Sequence, residues 1–452
     1  MTPIRFNDAL RIAAFAAHEA TLSGPKPVRI IRDVYGRVRF AVNCDSADYP
    51  AAARLQLEAV QAELGVYATS ANVLFRDDFS NPDAIFNSSD WHATTLNAAP
   101  DKDGVTAPDV TVSVLDRQIT GQDWLNAPVS SAAHPHRLVF YGLKGGVGRS
   151  TALAMVASGL ARQGKNVLLI DFDLESPGLS GLLLPPHRVA EFGLVDWFVE
   201  DAVDQGDAVL WSMVSVSPLG DATTGSIRVA AAMGRTETAY LAKLARAYAE
   251  IPSPSGPQRF AARMRRIVEL LEAQEQPDVV LIDSRAGLHD LAAVAITSLA
   301  DTALLFATDS AQNWLGYRQL FTHWQHRPEV CARVRDRLAV VRALTPQGDR
   351  EAHVRSFQAS AYELFASTLY DEMKQSFDPE VDAGQDEPEP FHPAMEDESA
   401  PHFPILIDWD TRFQEFDPTL RPENGGVGDA QIDATFGALI DWTMARIPGR
   451  AK

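Results

Sequence analysis

Residues 144–151, with the sequence KGGVGRST, place three glycines, two basic residues and two hydroxyl residues within eight positions. The apolar run LVFYG precedes them, and small and apolar residues follow from Thr151 to Arg162, which predicts a strand, a turn and a helix. Glycines let a backbone turn tightly and point several N–H groups at one anion, and the start of a helix favours negative charge. This spacing therefore predicts phosphate binding, with the hydroxyl of Ser150 available to a magnesium ion.

Two later strand-like segments end in aspartate, which suits a site for phosphate and a metal ion. The apolar run from Val167 to Ile170 closes with Asp171 and Asp173, and the run VVLI closes with Asp283. Together with the glycine loop, these residues favour a functional interpretation over a purely structural one. For Asp171 taken alone, capping of a turn fits as well as a catalytic role.

The loop does not match the common phosphate-loop pattern G-x-x-x-x-G-K-[ST], because Leu143 replaces its first glycine and Arg149 replaces its lysine. It resembles instead the deviant Walker A loop, KGGxGK[ST], of the ParA/MinD family of ATPases. The segment VLLIDFDLESPGLS (167–180) is similar to the first switch strand of that family. The segment PDVVLIDSRAGL (277–288) is similar to its Walker B strand and second switch.

The resemblance covers residues from about 135 to 450 and implies a chain that binds ATP and Mg²⁺ and forms a homodimer with ATP at the interface. It implies that Lys144 reaches the nucleotide of the second subunit. Asp173 would orient the attacking water with support from Asp171, and Gly287 would be the hinge of the second switch. The residues that would wrap the phosphates are Gly145, Gly146, Val147, Gly148, Arg149, Ser150 and Thr151, and those that would hold the metal are Ser150, Asp173 and, through water, Asp283.

Three arginines, at positions 149, 342 and 285, depart from the family pattern or leave more than one interpretation open. Arg149 stands where the family has its phosphate-binding lysine; arginine keeps the charge but is longer and planar, which predicts slow hydrolysis or more of the charge carried by Lys144. Arg342 falls near the family's adenine-reading asparagine, so ATP and GTP both stay open, and Trp409 follows the last strand in a loop that the family places near the base. Arg285 fits a phosphate or partner contact as well as a solvated position.

The elements that must position these residues alternate between strand and helix from residue 133 onward. This alternation predicts an α/β fold of P-loop NTPase type, with a mainly parallel sheet covered by helices on both faces. The sequence of residues 1–132 predicts a separate small α+β domain without a catalytic motif. This domain is a candidate for binding a partner or for regulation. The predicted strands from residue 133 onward lie at 138–142, 167–170, 227–231, 279–283, 302–307, 337–341 and 404–408. The elements predicted before it are a helix at 4–20, a hairpin at 28–42 around Tyr35 and Gly36, a helix at 51–64, a loop at 76–110 and a strand at 111–115.

Charge and cysteine content exclude several classes of protein. The net charge of −20 counts against a protein that coats nucleic acid or anionic lipid, because both need a net basic face. Ten of these net charges lie in residues 371–400, which with four prolines predicts a disordered or loosely held acidic loop. Two cysteines, Cys44 and Cys331, exclude a disulfide framework and a four-thiolate metal site within one chain, and fit a reducing cytoplasm.

The partners that the sequence predicts are a second copy of the chain and an unidentified protein bound through residues 1–132 or the acidic loop. DNA is an alternative through arginine clusters at 263–266 and 333–337, but the acidic net charge and the commoner solvated helix face count against it. Membrane binding through the apolar stretch 436–447 is disfavoured because Asp441 interrupts it and few basic residues flank it.

Two alternative functions stay open at this point. One is a nucleotide-binding sensor or scaffold with little hydrolysis, which the exchange at Arg149 would explain. The other is a protein similar to bacterial tyrosine kinases, because DLESPGL (173–179) resembles the D-L-R-x-P-x-L segment of that family. Such kinases usually carry tyrosines near the C-terminus as acceptors, whereas this chain has none after Tyr370.

Overall fold

The computed structural model describes twelve stretches of the 452-residue chain. The described residues fall into two compact units, the first reaching from the N-terminal side to Leu125 and including Thr322–Ala332, and the second holding the rest. The division into domains at residue 132 and a partner role for the first of them stay predictions. The described stretches are 4–68, 72–97, 108–118, 120–126, 134–235, 239–252, 257–373, 390–414, 416–417, 420, 422–424 and 426–448.

The first unit packs helices on a four-stranded sheet of order β2-β1-β4-β3. The predicted hairpin is confirmed, since β1 and β2 pair antiparallel and Gly36 takes a φ of 81° in the turn between them. The loop predicted at 76–110 is wrong in part, because β3 lies within it and pairs antiparallel with β4. The elements of this unit before residue 126 are α1 (Phe6–Ser23), β1 (Val28–Arg32), β2 (Val38–Val42), α2 (Ala51–Glu63), α3 (Pro82–Phe86), β3 (Trp91–Leu96) and β4 (Val110–Asp116).

The chain returns to the first unit at Thr322–Ala332, a feature that the sequence did not predict. The backbone N–H of Thr95 donates to the carbonyl of His326 at 3.1 Å. The indole Nε1 of Trp324 donates to the carbonyl of Trp124 at 3.1 Å, and the two indole rings lie 5.9 Å apart. These contacts tie the returning segment to the edge strand of the small sheet.

The imidazole of His323 in this segment makes the stability of the first unit depend on pH. Burial, with the guanidinium of Arg327 adding to it, lowers the pKa of His323 to about 4 from its ordinary 6.5. The unfolded chain therefore takes up a proton between pH 6.5 and 4 that the folded chain does not, so stability falls as the pH is lowered through this range. We expect a midpoint near pH 4 for His323 in an NMR titration. We also expect urea denaturation of His323→Gln to depend less on pH between 4 and 6.5.

The second unit is built on an eight-stranded sheet of order β12-β11-β10-β5-β9-β6-β8-β7. Every neighbouring pair is parallel except β7 and β8, which confirms the predicted mainly parallel α/β sheet. Its strands are β5 (His136–Gly142), β6 (Asn166–Asp171), β7 (Val214–Val216), β8 (Ser226–Ala230), β9 (Val279–Asp283), β10 (Thr302–Ala307), β11 (Leu338–Thr345) and β12 (Ile405–Asp408).

Helices cover this sheet, and the one that follows the glycine loop, α4, is buried along nearly its whole length. The short α10 continues into a π-helical turn at Ala295–Leu299. The helices that follow α3 in the chain are α4 (Arg149–Arg162), α5 (Leu179–Leu183), α6 (Leu194–Asp201), α7 (Gly206–Leu210), α8 (Tyr240–Ala247), α9 (Phe260–Glu275), α10 (Asp290–Val294), α11 (Ala311–Gln325), α12 (Pro328–Arg335), α13 (Arg350–Ala366) and α14 (Asp429–Met444).

The C-terminal helix α14 packs its apolar face against α4 and the sheet. Phe436, Leu439 and Ile440 are buried in the same core cluster as the interior face of α4. The ring of Phe436 meets that of Phe413 edge-on, with centroids 4.9 Å apart. None of the helices in the described ranges is long and apolar enough to span a membrane.

The contact between α4 and α14 depends on Gly159. A Cβ atom at this position would lie 2.6 Å from Cδ1 and 2.8 Å from Cγ2 of Ile440. Ile440 is β-branched and buried, so it has little freedom to move aside. We expect Gly159→Val to lower the free energy of unfolding by about 1–3 kcal/mol, measured by urea denaturation. Gly437→Ala in α14 is the matched control: its Cβ meets nothing within 4 Å, so it should leave stability unchanged or raise it.

The acidic segment predicted as a loose loop contacts α12 through Asp371 and Phe391, which lie in its two described parts, and its looseness as a whole stays a prediction. The guanidinium of Arg335 lies 2.7 Å from Asp371 and stacks over the ring of Phe391 at 4.6 Å. His402, just beyond the segment, is fully buried, and its Nδ1 lies 2.6 Å from the hydroxyl of Tyr370. Most of the acidic side chains predicted here lie at 374–389, outside the described residues.

Arginines of the two predicted basic clusters are already engaged by acidic partners. Arg263 is fully buried, and its Nε donates to Asp201 at 2.9 Å. Arg266 binds the other oxygen of Asp201, and Arg335 binds Asp371. These two stretches are therefore not simple solvated basic faces.

Candidate functional site

The glycine loop between β5 and α4 borders open space. Gly146 and Gly148 take φ angles of 78° and 75°, which residues with a side chain rarely adopt. A Cβ atom on Gly145 or Gly146 would meet nothing within 4 Å. The loop leads into the 14-residue helix α4, whose first N–H groups have no partner within the helix. A cavity of about 450 Å³ opens here, lined by residues 144–151, Asp173, Glu175, Ser176, Arg285 and Ala286.

A second cavity of about 380 Å³ adjoins the first and shares four loop residues with it. Trp409, which is 48% exposed, lines its outer part, and Leu344 and Phe413 line its apolar part. An anion-binding loop beside an aromatic cleft is the shape that a nucleotide needs, with its phosphates on the loop and its base in the cleft. The shared residues are Gly146, Val147, Gly148 and Thr151.

Arg149, one of the residues that line the first cavity, lies between two carboxylates. Its Nε donates to one oxygen of Asp283 at 2.6 Å, and its Nη2 donates to Asp173 at 2.9 Å. The hydroxyl of Ser150 donates to the other oxygen of Asp283 at 2.6 Å. Burial disfavours the charge of Arg149, but Asp283 and Asp173 outweigh it and raise the pKa of the guanidinium above its ordinary value. The sequence placed these four residues in one site, but not in this arrangement.

Asp171 lies beneath the loop and does not line the first cavity. It is fully buried, and the backbone N–H groups of Asp173 and Leu179 donate to its two oxygens at 3.1 and 3.2 Å. Burial, together with the nearby charge of Asp283, raises the pKa of Asp171 to about 8. Burial also raises the pKa of Asp173, although Arg149 opposes that shift. The capping interpretation of Asp171, open from sequence, agrees with these contacts.

The two predicted switch segments meet through Glu175, which sequence reasoning did not single out. A guanidinium nitrogen of Arg285 lies 2.6 Å from one oxygen of Glu175. The hydroxyl of Tyr248 donates to the other oxygen at 2.6 Å. Gly287 has a φ of 85° and hydrogen-bonds through its N–H to the carbonyl of Gly142 at 3.1 Å. Arg285 is therefore not a free, solvated residue, because its guanidinium is paired with Glu175. In this arrangement the guanidinium is not directed only at the glycine loop.

Arg342 is a predicted base-side residue that the structure places away from both cavities. It is 3% exposed on β11, and its guanidinium stacks on the ring of Phe357 in α13 at 5.0 Å. The pairing of β11 with β12 shifts register between Arg342 and Thr345, and Leu344 takes a φ of 54° there. Leu344 lines the second cavity, whereas Arg342 lines neither. A role for Arg342 beside the base stays a prediction.

Lys144 stands at the mouth of the first cavity as an exposed residue. Its ammonium makes no ion pair with the residues that the structure describes. It is therefore available to an anion bound on the loop or to one presented by another molecule.

The residues present fit a nucleotide, but as arranged they do not fit Mg²⁺. The backbone cradle and the aromatic cleft are open, whereas both oxygens of Asp283 are occupied by Arg149 and Ser150. Over the described stretches, no group of three His, Cys, Asp or Glu residues is placed to hold a metal ion. A divalent ion would have to displace the guanidinium to reach these carboxylates.

Comparisons with known proteins agree with the nucleotide fold. Residues 138–315 match the family model described as the CobQ/CobB/MinD/ParA nucleotide binding domain. A ParA family ATPase from Chlorobium tepidum TLS is 14% identical, covering 68% of this chain and 98% of its own, with a TM-score of 0.40. MinD from Aquifex aeolicus is 18% identical, covering 46% of this chain and 68% of its own, with a TM-score of 0.30.

A cobyrinic acid a,c-diamide synthase from Mycobacterium smegmatis, solved with ADP and magnesium, is 16% identical. The match covers 49% of this chain and 78% of that one, with a TM-score of 0.34. No curated protein matches the chain. All three TM-scores lie below 0.5, so these structural likenesses carry no argument, and the match to the family model covers residues 138–315 alone.

Proposed function

Because residues 138–315 match the model of the CobQ/CobB/MinD/ParA nucleotide binding domain, we propose that this protein is an ATP-dependent molecular switch. The observation that carries the proposal is the pair of adjoining cavities, one on the glycine loop and one beside Trp409. ATP bound there lays its phosphates on the N–H groups of residues 145–151 and its base against Trp409 and Leu344. Competition between ATP and GTP in the binding assay tells whether the preferred base is adenine or guanine.

In the proposed switch, ATP joins two copies of the chain and Lys144 of each copy reaches the phosphates bound by the other. The exposed ammonium of Lys144 at the mouth of the first cavity supports this arrangement. Asp173 lines the same cavity; in the proposed mechanism it would orient a water toward the terminal phosphate, and slow hydrolysis would return the dimer to monomers. Light scattering with ATP and with ADP tests this: the molar mass should double with ATP only, and a monomer with ATP bound would contradict the dimer.

The dimer would in turn control a protein partner, through the first unit or the acidic segment. The support is that a compact unit of more than a hundred residues precedes the nucleotide-binding domain and carries no catalytic motif. Hydrogen exchange of the full chain should then differ between the ATP and ADP states within residues 4–68. Identical exchange there would count against a partner role for the first unit.

The base-side cleft gives a direct test of nucleotide binding. Stacking of a base on an aromatic side chain contributes about 1–3 kcal/mol, so Trp409→Ala should weaken ATP binding by roughly tenfold or more. Trp211→Ala is the control, because Trp211 is exposed and lines neither cavity. Isothermal titration calorimetry measures both variants. Equal affinities for the two would remove Trp409 from the site.

A specific contact favours a second candidate, a nucleotide sensor with little hydrolysis. Asp173, the residue proposed to orient water, is paired with Arg149 at 2.9 Å. If this pair persists when ATP is bound, the water has no base to orient it. Tight ATP binding without phosphate release in a single-turnover assay would favour the sensor. The kinase-like alternative gains no support, since Tyr370, the last tyrosine, is buried against His402.

A further inference from the structure

The loop carries its own cation in the place where related sites would use a metal ion. The side chain of Arg149 is 9% exposed and lies between Asp283, at the end of β9, and Asp173, just after β6. The side chain of Asp283 is 2% exposed, so its charge needs a partner within the protein. Arg149 supplies that charge in the absence of any bound ion.

The shape of the arginine side chain suits this role better than a lysine does. The planar guanidinium presents several N–H groups in a fixed fork, and here Nε and Nη2 reach two different carboxylates at 2.6 and 2.9 Å. A lysine ammonium is a single point charge that spans two carboxylates less well. Arg149 also lines the first cavity, so it borders the space in which a bound phosphate would lie.

We propose that Arg149 is a tethered cation that takes the place of a divalent metal between Asp283 and Asp173, so that this protein binds nucleotide without requiring Mg²⁺. The nucleotide part of this inference rests on the proposed function, whereas the exclusion of a metal ion does not. Magnesium and calcium need carboxylate oxygens that are free to coordinate, and Arg149 and Ser150 occupy both oxygens of Asp283. The guanidinium of Arg149 and a divalent metal ion therefore compete for the position between Asp283 and Asp173.

The first test uses Mn²⁺ as a probe and needs no nucleotide. Electron paramagnetic resonance measures the Mn²⁺ bound to the full-length protein, comparing the wild type with Arg149→Gln. We expect Arg149→Gln to bind Mn²⁺ at least about tenfold more tightly, because the neutral side chain leaves two carboxylates without a cation. Adding Asp283→Asn to Arg149→Gln should abolish the gain. Equal Mn²⁺ affinity in the wild type and in Arg149→Gln would overturn the proposal.

The second test uses Arg149→Lys, which keeps the positive charge and guards against a variant that fails to fold. Fluorescent ADP is titrated into the wild type and Arg149→Lys with excess EDTA and with excess MgCl₂. We expect the affinity of the wild type to change less than about threefold between the two conditions, and that of Arg149→Lys to rise about tenfold or more with Mg²⁺. A wild type that depends on Mg²⁺ as strongly as Arg149→Lys would overturn the proposal.

The two tests separate this inference from the proposed function. If no nucleotide binds to the wild type in either condition, the proposed function fails and the Mg²⁺-independent binding fails with it. The Mn²⁺ experiment then still decides whether Arg149 excludes a metal ion. Circular dichroism of each variant shows that the compared proteins are folded.

Discussion

The Lys144→Ala variant is expected to stay monomeric with ATP, under conditions in which the wild-type protein doubles its molar mass. Lys144 is exposed and lines the first cavity, and in the proposed dimer its ammonium would reach a nucleotide held by a second copy. A positive charge supplied in trans to a transferring phosphate can be worth about 10³-fold or more in rate, so ATP turnover should fall by that order as well. Size-exclusion chromatography with light scattering and a phosphate-release assay measure the two effects.

Lys26→Ala is the matched control for this experiment, since it removes another exposed lysine that lies outside the loop. It should dimerise and turn over ATP like the wild type. Two results would contradict the bridging role of Lys144: dimerisation of Lys144→Ala with ATP, or loss of ATP binding itself in the monomer. The second result would mean that Lys144 serves the nucleotide of its own subunit.

The glycine loop and the parallel sheet were predictable because both depend on local sequence. Glycines occupy positions 145, 146 and 148, between an apolar strand and a helix of small residues. Few local structures other than a tight turn are compatible with this order. Short apolar runs that alternate with helical segments predict parallel strands, and each strand predicted from residue 133 onward is present in the sheet. The strand β3 was missed because its sequence WHATTL is largely polar and stands among loop-forming residues.

The contacts that decide the chemistry of the site were not predictable, because they join residues far apart in the chain. Arg149 and Asp283 are separated by 134 positions, and no local pattern tells whether that arginine faces a phosphate or a carboxylate. Glu175 and Tyr248 are brought together in the same way across 73 positions. Arg342 lines neither cavity, and the pairing of β11 with β12 shifts register after it, between Arg342 and Thr345. Spacing along a strand does not reveal such a shift.

The largest effect on stability is expected from Arg137→Met, at the start of the strand that carries the glycine loop. Nε and Nη2 of Arg137 donate to the two oxygens of Glu272 in α9, both at 2.7 Å. The two side chains are only 4% and 7% exposed. Removing the guanidinium leaves a buried carboxylate without its charge partner, which typically costs about 3–5 kcal/mol. Urea denaturation followed by circular dichroism should show a loss of this order.

Arg188→Met provides the control, because Arg188 and Asp221 form the same two-bond pair at 2.9 and 2.7 Å on the surface, and water can solvate the remaining carboxylate there. That variant should unfold at nearly the wild-type urea concentration. The double variant Arg137→Met/Glu272→Met identifies the cause of the loss in the interior. It should recover most of the stability, since replacing both partners of a buried pair by apolar residues leaves no isolated charge. If it stays as unstable as Arg137→Met, the loss comes from packing of the arginine between β5 and α9, and the ion pair itself contributes little.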